Sequence, residues 1–106
     1  MKKKSNMKPI PNYEDYAVDA DGNIYSFNYH GTGKRKKLKL SNSNGYLITN
    51  LFKNGKRKRF YVHRLVLLTF KGQSSLQINH KNGIKTDNRI KNLEYCTPKE
   101  NIRHSY

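Results

Sequence analysis

The dipeptide Asn54-Gly55 constrains this chain more than any other feature. It separates two runs rich in β-type residues, Tyr46 to Lys53 and Lys56 to His63. A two-residue type I′ turn needs positive φ at both central positions, which Asn and Gly tolerate best. Such a loop also sets the register. Lys53 then faces Lys56, Leu51 faces Lys58, Thr49 faces Phe60 and Leu47 faces Val62. These residues share one side of the ribbon, and Tyr46, Ile48, Asn50, Phe52, Arg57, Arg59 and Tyr61 share the other. Both sides are mixed, so the pattern alone leaves open which one is buried. We expect Leu47, Leu51, Phe60 and Val62 to face the core, and Asn50, Arg57 and Arg59 to face outward.

The rest of the chain reads as short elements around this hairpin. Tyr16 to Asp19 suits a strand, Asp21-Gly22 a turn, and Ile24 to Tyr29 the return strand. His30 to Lys37 reads as a basic loop. Arg64 to Phe70 is the most apolar stretch and suits a core helix ended by Lys71-Gly72. A linker, a strand Gln77–His80, a turn at Lys81-Asn82-Gly83 and a strand from Leu93 to Thr97 follow. Pro98 suits the first turn of a final helix, with Thr97 as its N-cap. The apolar set with Gly and without Tyr is 35 of 106 residues, about a third. Typical domains have roughly 45–50%, so the core should be thin.

Charge narrows the partner. The chain has 22 Lys and Arg against 7 Asp and Glu, a formal charge of +15. From Gly22 to Thr86 there are 14 bases and no acid. Such self-repulsion points to a polyanion. The densest basic runs, Lys34–Lys39 and Lys53–Arg59, lie beside Gly, Asn and β-type residues. A membrane surface would favour a basic amphipathic helix instead, so nucleic acid is preferred. The longest apolar run, Leu65 to Leu68, is too short for a transmembrane helix. The N-terminal lysines lack the apolar stretch of a secretion signal, so an intracellular protein is expected. A lone cysteine, Cys96, excludes an internal disulfide framework and reads as a small apolar strand residue.

The segment from Asn79 to Asn101 closely resembles the HNH nuclease motif of phage intron-encoded homing endonucleases. It carries Asn79-His80 before a turn with Gly83, then Asn92 and Asn101. Tyr16 to Ser26 (Tyr-Ala-Val-Asp-Ala-Asp-Gly-Asn-Ile-Tyr-Ser) looks like the element that opens such proteins. Gly45 to Leu47 and Val62 to Val66 look like their central hairpin and helix.

The resemblance implies an α+β fold, with a small antiparallel β-hairpin DNA-binding region before a ββα-metal (HNH) nuclease motif. The division it suggests is a disordered basic tail at 1–9, a β-rich DNA-binding region at 10–74, and the nuclease motif at 75–106. It implies one divalent ion, Mg²⁺ or Mn²⁺, and no small-molecule cofactor. His80 would be the general base, and Asn92 would hold the His80 region and its imidazole in orientation. Asn79 and Asn101 would ligate the metal. Position 79 is Asp in well-studied relatives, and an amide is the poorer ligand for a hard cation. Lys34, Arg35, Lys36, Lys37, Asn50, Arg57, Arg59, Arg89, Lys91, Lys99 and Arg103 are the candidate DNA contacts. The expected partner is double-stranded DNA, with no membrane. A monomer that nicks one strand is expected, with a dimer as the alternative. A phage-encoded protein in the cytoplasm of a bacterial host fits this reading. The rival function is a catalytically impaired DNA-binding module that keeps the HNH fold. A small RNA-binding protein of ribosomal type fits the charge but has no use for His80, Asn92 and Asn101.

Overall fold

The computed structural model describes residues 7–27 and 35–97. The hairpin takes the register its turn dictates. Strand β6 (Tyr46–Lys53) pairs with β7 (Lys56–Tyr61), with Lys53 opposite Lys56, Leu51 opposite Lys58 and Thr49 opposite Phe60. Asn54 and Gly55 have φ of 53° and 76°. Leu51 and Thr49 are buried, while Asn50, Arg57 and Arg59 are exposed. One pairing fails. Val62, expected opposite Leu47, instead starts helix α1 (Val62–Lys71). The helix begins two residues earlier than its apolar run suggests, so Val62 reaches the core from a helix.

The Asn-Gly signal recurs at Asn44-Gly45, with φ of 54° and 91°. It adds strand β5 (Ser41–Ser43) beside β6 and makes a three-stranded sheet, β5-β6-β7. The sequence reading did not include this strand.

A second sheet has the order β1-β2-β3-β4, from β1 (Lys8–Ile10), β2 (Tyr13–Val18), β3 (Ile24–Ser26) and β4 (Lys36–Lys37). Two expectations are corrected here. The basic tail was expected through residue 9, yet Lys8 and Pro9 pair with Val18 and Ala17. Lys36 and Lys37, expected in a loop, pair with Ser26 and Tyr25. In both places the backbone hydrogen bonds of a sheet edge order residues whose side chains prefer water.

Strands β8 (Gln77–His80) and β9 (Leu93–Cys96) form a separate antiparallel pair, with His80 opposite Leu93 and Asn79 opposite Glu94. Between them runs a long loop ending in a 3-10 turn at Ile90–Asn92. Helix α1 is the common support. Its Val62, Leu65, Val66 and Leu67 are buried with Ile10, Val18, Ile24, Leu51 and Leu93 in one cluster. Each such side chain contributes about 1.5–3 kcal/mol on burial. The cluster therefore spans the 74/75 boundary suggested by the sequence. Cys96 is buried in β9. Among the described residues no helix is long and apolar enough to cross a membrane.

Candidate active site

His80 ends β8 and is nearly buried, at 9% exposure. Its Nε2 lies 2.9 Å from Oδ1 of Asn88. An amide oxygen can only accept, so Nε2 carries the proton and Nδ1 is the basic nitrogen. Asn88 is itself braced. Gly22 packs so closely that a Cβ there would sit 2.8 Å from the Asn88 carbonyl oxygen, and its φ is +87°. The neighbouring Ile90 N–H donates to the Ala20 carbonyl at 2.8 Å. The turn around Gly22 is held by Asp19, whose carboxylate accepts from the N–H groups of Asp21 and Asn23 and from the Tyr25 hydroxyl. Burial pushes the Asp19 carboxyl up, but these hydrogen bonds win and hold it below its ordinary value.

The hydrogen bonds of Asn92 go to the segment that follows His80. The imidazole hydrogen bond goes to Asn88, while the buried Asn92 side chain ties down the loop after His80. Its Oδ1 accepts from the Asn82 N–H at 3.0 Å, and its Nδ2 donates to the Asp87 carbonyl at 2.8 Å. The Lys81 N–H also donates to the Asn92 carbonyl at 2.8 Å. Asn92 thus shapes the loop, and the loop delivers Asn88.

Behind His80 stands a ring cluster. His63, at the start of α1, meets His80 edge-on with centroids 5.2 Å apart. Tyr46 lies 5.2 Å from His63 and 6.0 Å from His80. Lys85 Nζ sits 5.0 Å from the Tyr46 ring centre. Burial, helped by the nearby charges of His80 and Arg64, holds His63 down at about 4. The buried Nδ1 of His63 has no hydrogen-bond partner. A neutral His63 does not oppose a proton arriving on His80.

Asn79 precedes His80 in β8. Its Nδ2 donates to Oε2 of Glu94 at 2.8 Å. Among the described residues no group of three His, Cys, Asp or Glu is gathered to hold an ion. The polar side chains at this position carry oxygens, the Asn79 amide and the half-buried Glu94 carboxylate. That set suits a hard divalent cation that keeps several waters and takes phosphate oxygens. Asn101, the other expected ligand, lies outside the described residues, as do Lys34, Lys99 and Arg103.

The remaining DNA-contact candidates fall into two groups. Lys36, Lys37 and Asn50 line one groove, with Lys39 and Thr49 beside them. Arg35 is exposed, with its guanidinium 5.4 Å from the Phe27 ring centre. Arg57 and Arg59 stand across from Phe52 and Asn50 on the outer face of the ribbon. Lys91 and Arg89 border a shallow cleft with Asn82. Arg89 is already engaged: Nε and Nη2 each donate to the Asp87 carboxylate at 2.7 Å. That fork holds Asp87 well below the usual carboxylate range.

The sequence reading missed Asn88 and Glu94. Asn88 sits in an Asn- and Asp-rich loop whose path only the fold reveals. Glu94 follows from strand register, which the long loop does not set.

Residues 60–103 match the model of the HNH endonuclease family. An uncharacterized HNH endonuclease, L245 of Acanthamoeba polyphaga mimivirus, is 34% identical over 97% of this chain, which spans 31% of that protein. DNA endonuclease I-HmuI of Bacillus phage SP01 is 39% identical over 92% of this chain, which spans 55% of it. The solved structure of the HNH homing endonuclease I-HmuI superposes with a TM-score of 0.82 at 39% identity. That superposition covers 93% of this chain and 56% of the other. Residues 60–103, with this fold around them, carry the motif of the HNH endonuclease family.

Proposed function

We propose that the protein is a metal-dependent DNA endonuclease that hydrolyses phosphodiester bonds and nicks one strand. The observation that carries this reading is His80, with Nε2 held by Asn88 and Nδ1 left as the basic nitrogen. Nδ1 takes the proton from the attacking water, which general-base catalysis rewards by roughly 10²–10⁴-fold. Neutral His63 and Tyr46 wall the imidazole and limit its rotation. Asn79, with Asn101 on the expected final helix, would hold one Mg²⁺ or Mn²⁺. A bound divalent ion supplies positive charge to the scissile phosphate and the leaving 3′ oxygen. Lys36, Lys37, Asn50, Arg57 and Arg59 grip the backbone of double-stranded DNA, and Lys91 contacts it near the cut. A monomer with one such site cuts one strand per encounter.

The test is relaxation of supercoiled plasmid in Mg²⁺ or Mn²⁺ by the wild type and by His80→Ala. We expect nicked circles from the wild type and a loss of about 10³-fold in the variant. Equal relaxation by both would reject His80 as the base. Salt-sensitive binding with no cutting by either would favour the DNA-binding module without catalysis.

A further inference from the structure

We propose that Lys85 grips a backbone phosphate beside the cut and so seats the scissile phosphate against His80. This deepens the nuclease reading above and rests on it. Lys85 lies outside the two dense basic runs and is exposed in the loop between β8 and β9. It occupies the second position of a tight turn, in which the Asp87 N–H donates to the Ile84 carbonyl at 3.0 Å. Both ends of that turn are tied. The Ile84 N–H donates to Oδ1 of Asn82, and the Asp87 carbonyl accepts from Nδ2 of Asn92. The next residue, Asn88, holds His80. One loop thus delivers both the group that orients the base and a cation beside it.

Packing aims the side chain. Gly45 lies so close that a Cβ there would meet Cδ of Lys85 at 3.3 Å, so the aliphatic stem runs along bare backbone. Nζ then sits 5.0 Å from the centre of the Tyr46 ring, and that ring lies 6.0 Å from His80. Phosphates recur about every 3.4 Å of helix axis along one strand of DNA, so the ammonium is within about three phosphates of the one that His80 faces. An aromatic face restrains a cation without cancelling its charge. Arg89 in the same loop shows the contrast: Nε and Nη2 both donate to the Asp87 carboxylate, which neutralises it. Among the described residues Lys85 has no ion pair. A cation already held in place loses little freedom when a phosphate arrives. Fixed beside the base, it also counters the negative charge that builds up in the transition state.

Lys85→Met keeps an apolar stem on Gly45 and removes the charge, whereas Lys85→Arg keeps the charge. Binding of the full chain to a fluorescent DNA duplex is read by anisotropy over a series of salt concentrations, without divalent metal. Nicking of supercoiled plasmid in Mg²⁺ or Mn²⁺ is read at saturating protein. We expect Lys85→Met to lower the salt slope by about 1 and the saturated nicking rate by about tenfold or more. Lys85→Arg should keep the wild-type slope and a nicking rate within about threefold of wild type. A wild-type slope in Lys85→Met would mean that Lys85 holds no phosphate, and rejects the proposal. A lowered slope with an unchanged saturated rate would place the contact away from the cut, and also rejects it. A lower melting temperature by circular dichroism that Lys85→Arg does not restore would make Lys85 a support of the loop instead. In each of these cases nicking by the wild type leaves the nuclease reading standing. If the wild type binds the duplex but does not nick the plasmid, the nuclease reading falls and the role of Lys85 falls with it.

Discussion

Two antiparallel hairpins in this protein are built on opposite plans. In β6–β7 the strands are joined by Asn54-Gly55, and the outer face is exposed and basic. In β8–β9 the strands are joined by residues 81–92, and both Asn79 and His80 are buried. The first hairpin takes its register from its turn. The second takes it from side chains, chiefly Asn92 binding Asn82 and Asp87 across the loop. Arg57 and Arg59 on the first act nearly alone, as phosphate contacts do, and their effects should add. Residues of the second act in one network, where losing a partner strands a buried polar atom.

The contrast can be broken in three places. The largest effect is expected at Asn88. Asn88→Ala removes the acceptor that orients His80, and a base misplaced by about 1 Å costs about 100-fold. Single-turnover cleavage at saturating DNA reads this directly. A rate equal to wild type would mean that the imidazole is held by packing alone.

The next effect is on stability against pH, through His63. Its folded value of about 4 lies below the ordinary 6.5. The unfolded chain therefore binds a proton as pH falls through 6.5, and the folded chain does so only near 4. Stability from this group is full above 6.5 and declines toward 4. The loss between pH 7 and pH 5 is about 2 kcal/mol. Asp19, held below its ordinary value, adds its own loss only at lower pH. Urea unfolding at both pH values should show this decline in wild type and a much flatter response in His63→Phe. Equal slopes would show that burial of His63 is not what discharges it.

The smallest effects belong to the basic hairpin. Arg57→Ala and Arg59→Ala should each weaken DNA binding a few-fold and lower the salt slope by about 1. The two losses should add, with Mn²⁺ binding unchanged. A double variant far weaker than the sum would make this hairpin a network like the other.

The two hairpins also show why some of the structure was legible in advance. The turn residues at 54–55 carry their own geometry, so the pairing of Lys53 with Lys56 and Leu51 with Lys58 could be written from sequence. The same signal at 44–45 was equally available and marks β5. Strands β8 and β9 were recognisable as strands, but their register was not, and with it the Asn79–Glu94 pair stayed hidden. Asn92 stood out by position, yet its partners depend on how the loop folds back.

Local chemistry determined the turns, the helix over Arg64 to Phe70, the acid-free basic stretch and the family motif. Those depend on residues close in sequence, whose φ preferences and spacing act without knowledge of the rest. Tertiary structure decided which asparagine holds His80, which acid faces Asn79, and that a turn at Gly22 packs against Asn88. Each of these is a contact between segments far apart along the chain. Such contacts form only because one core, shared by α1, both large sheets and Leu93, closes around them.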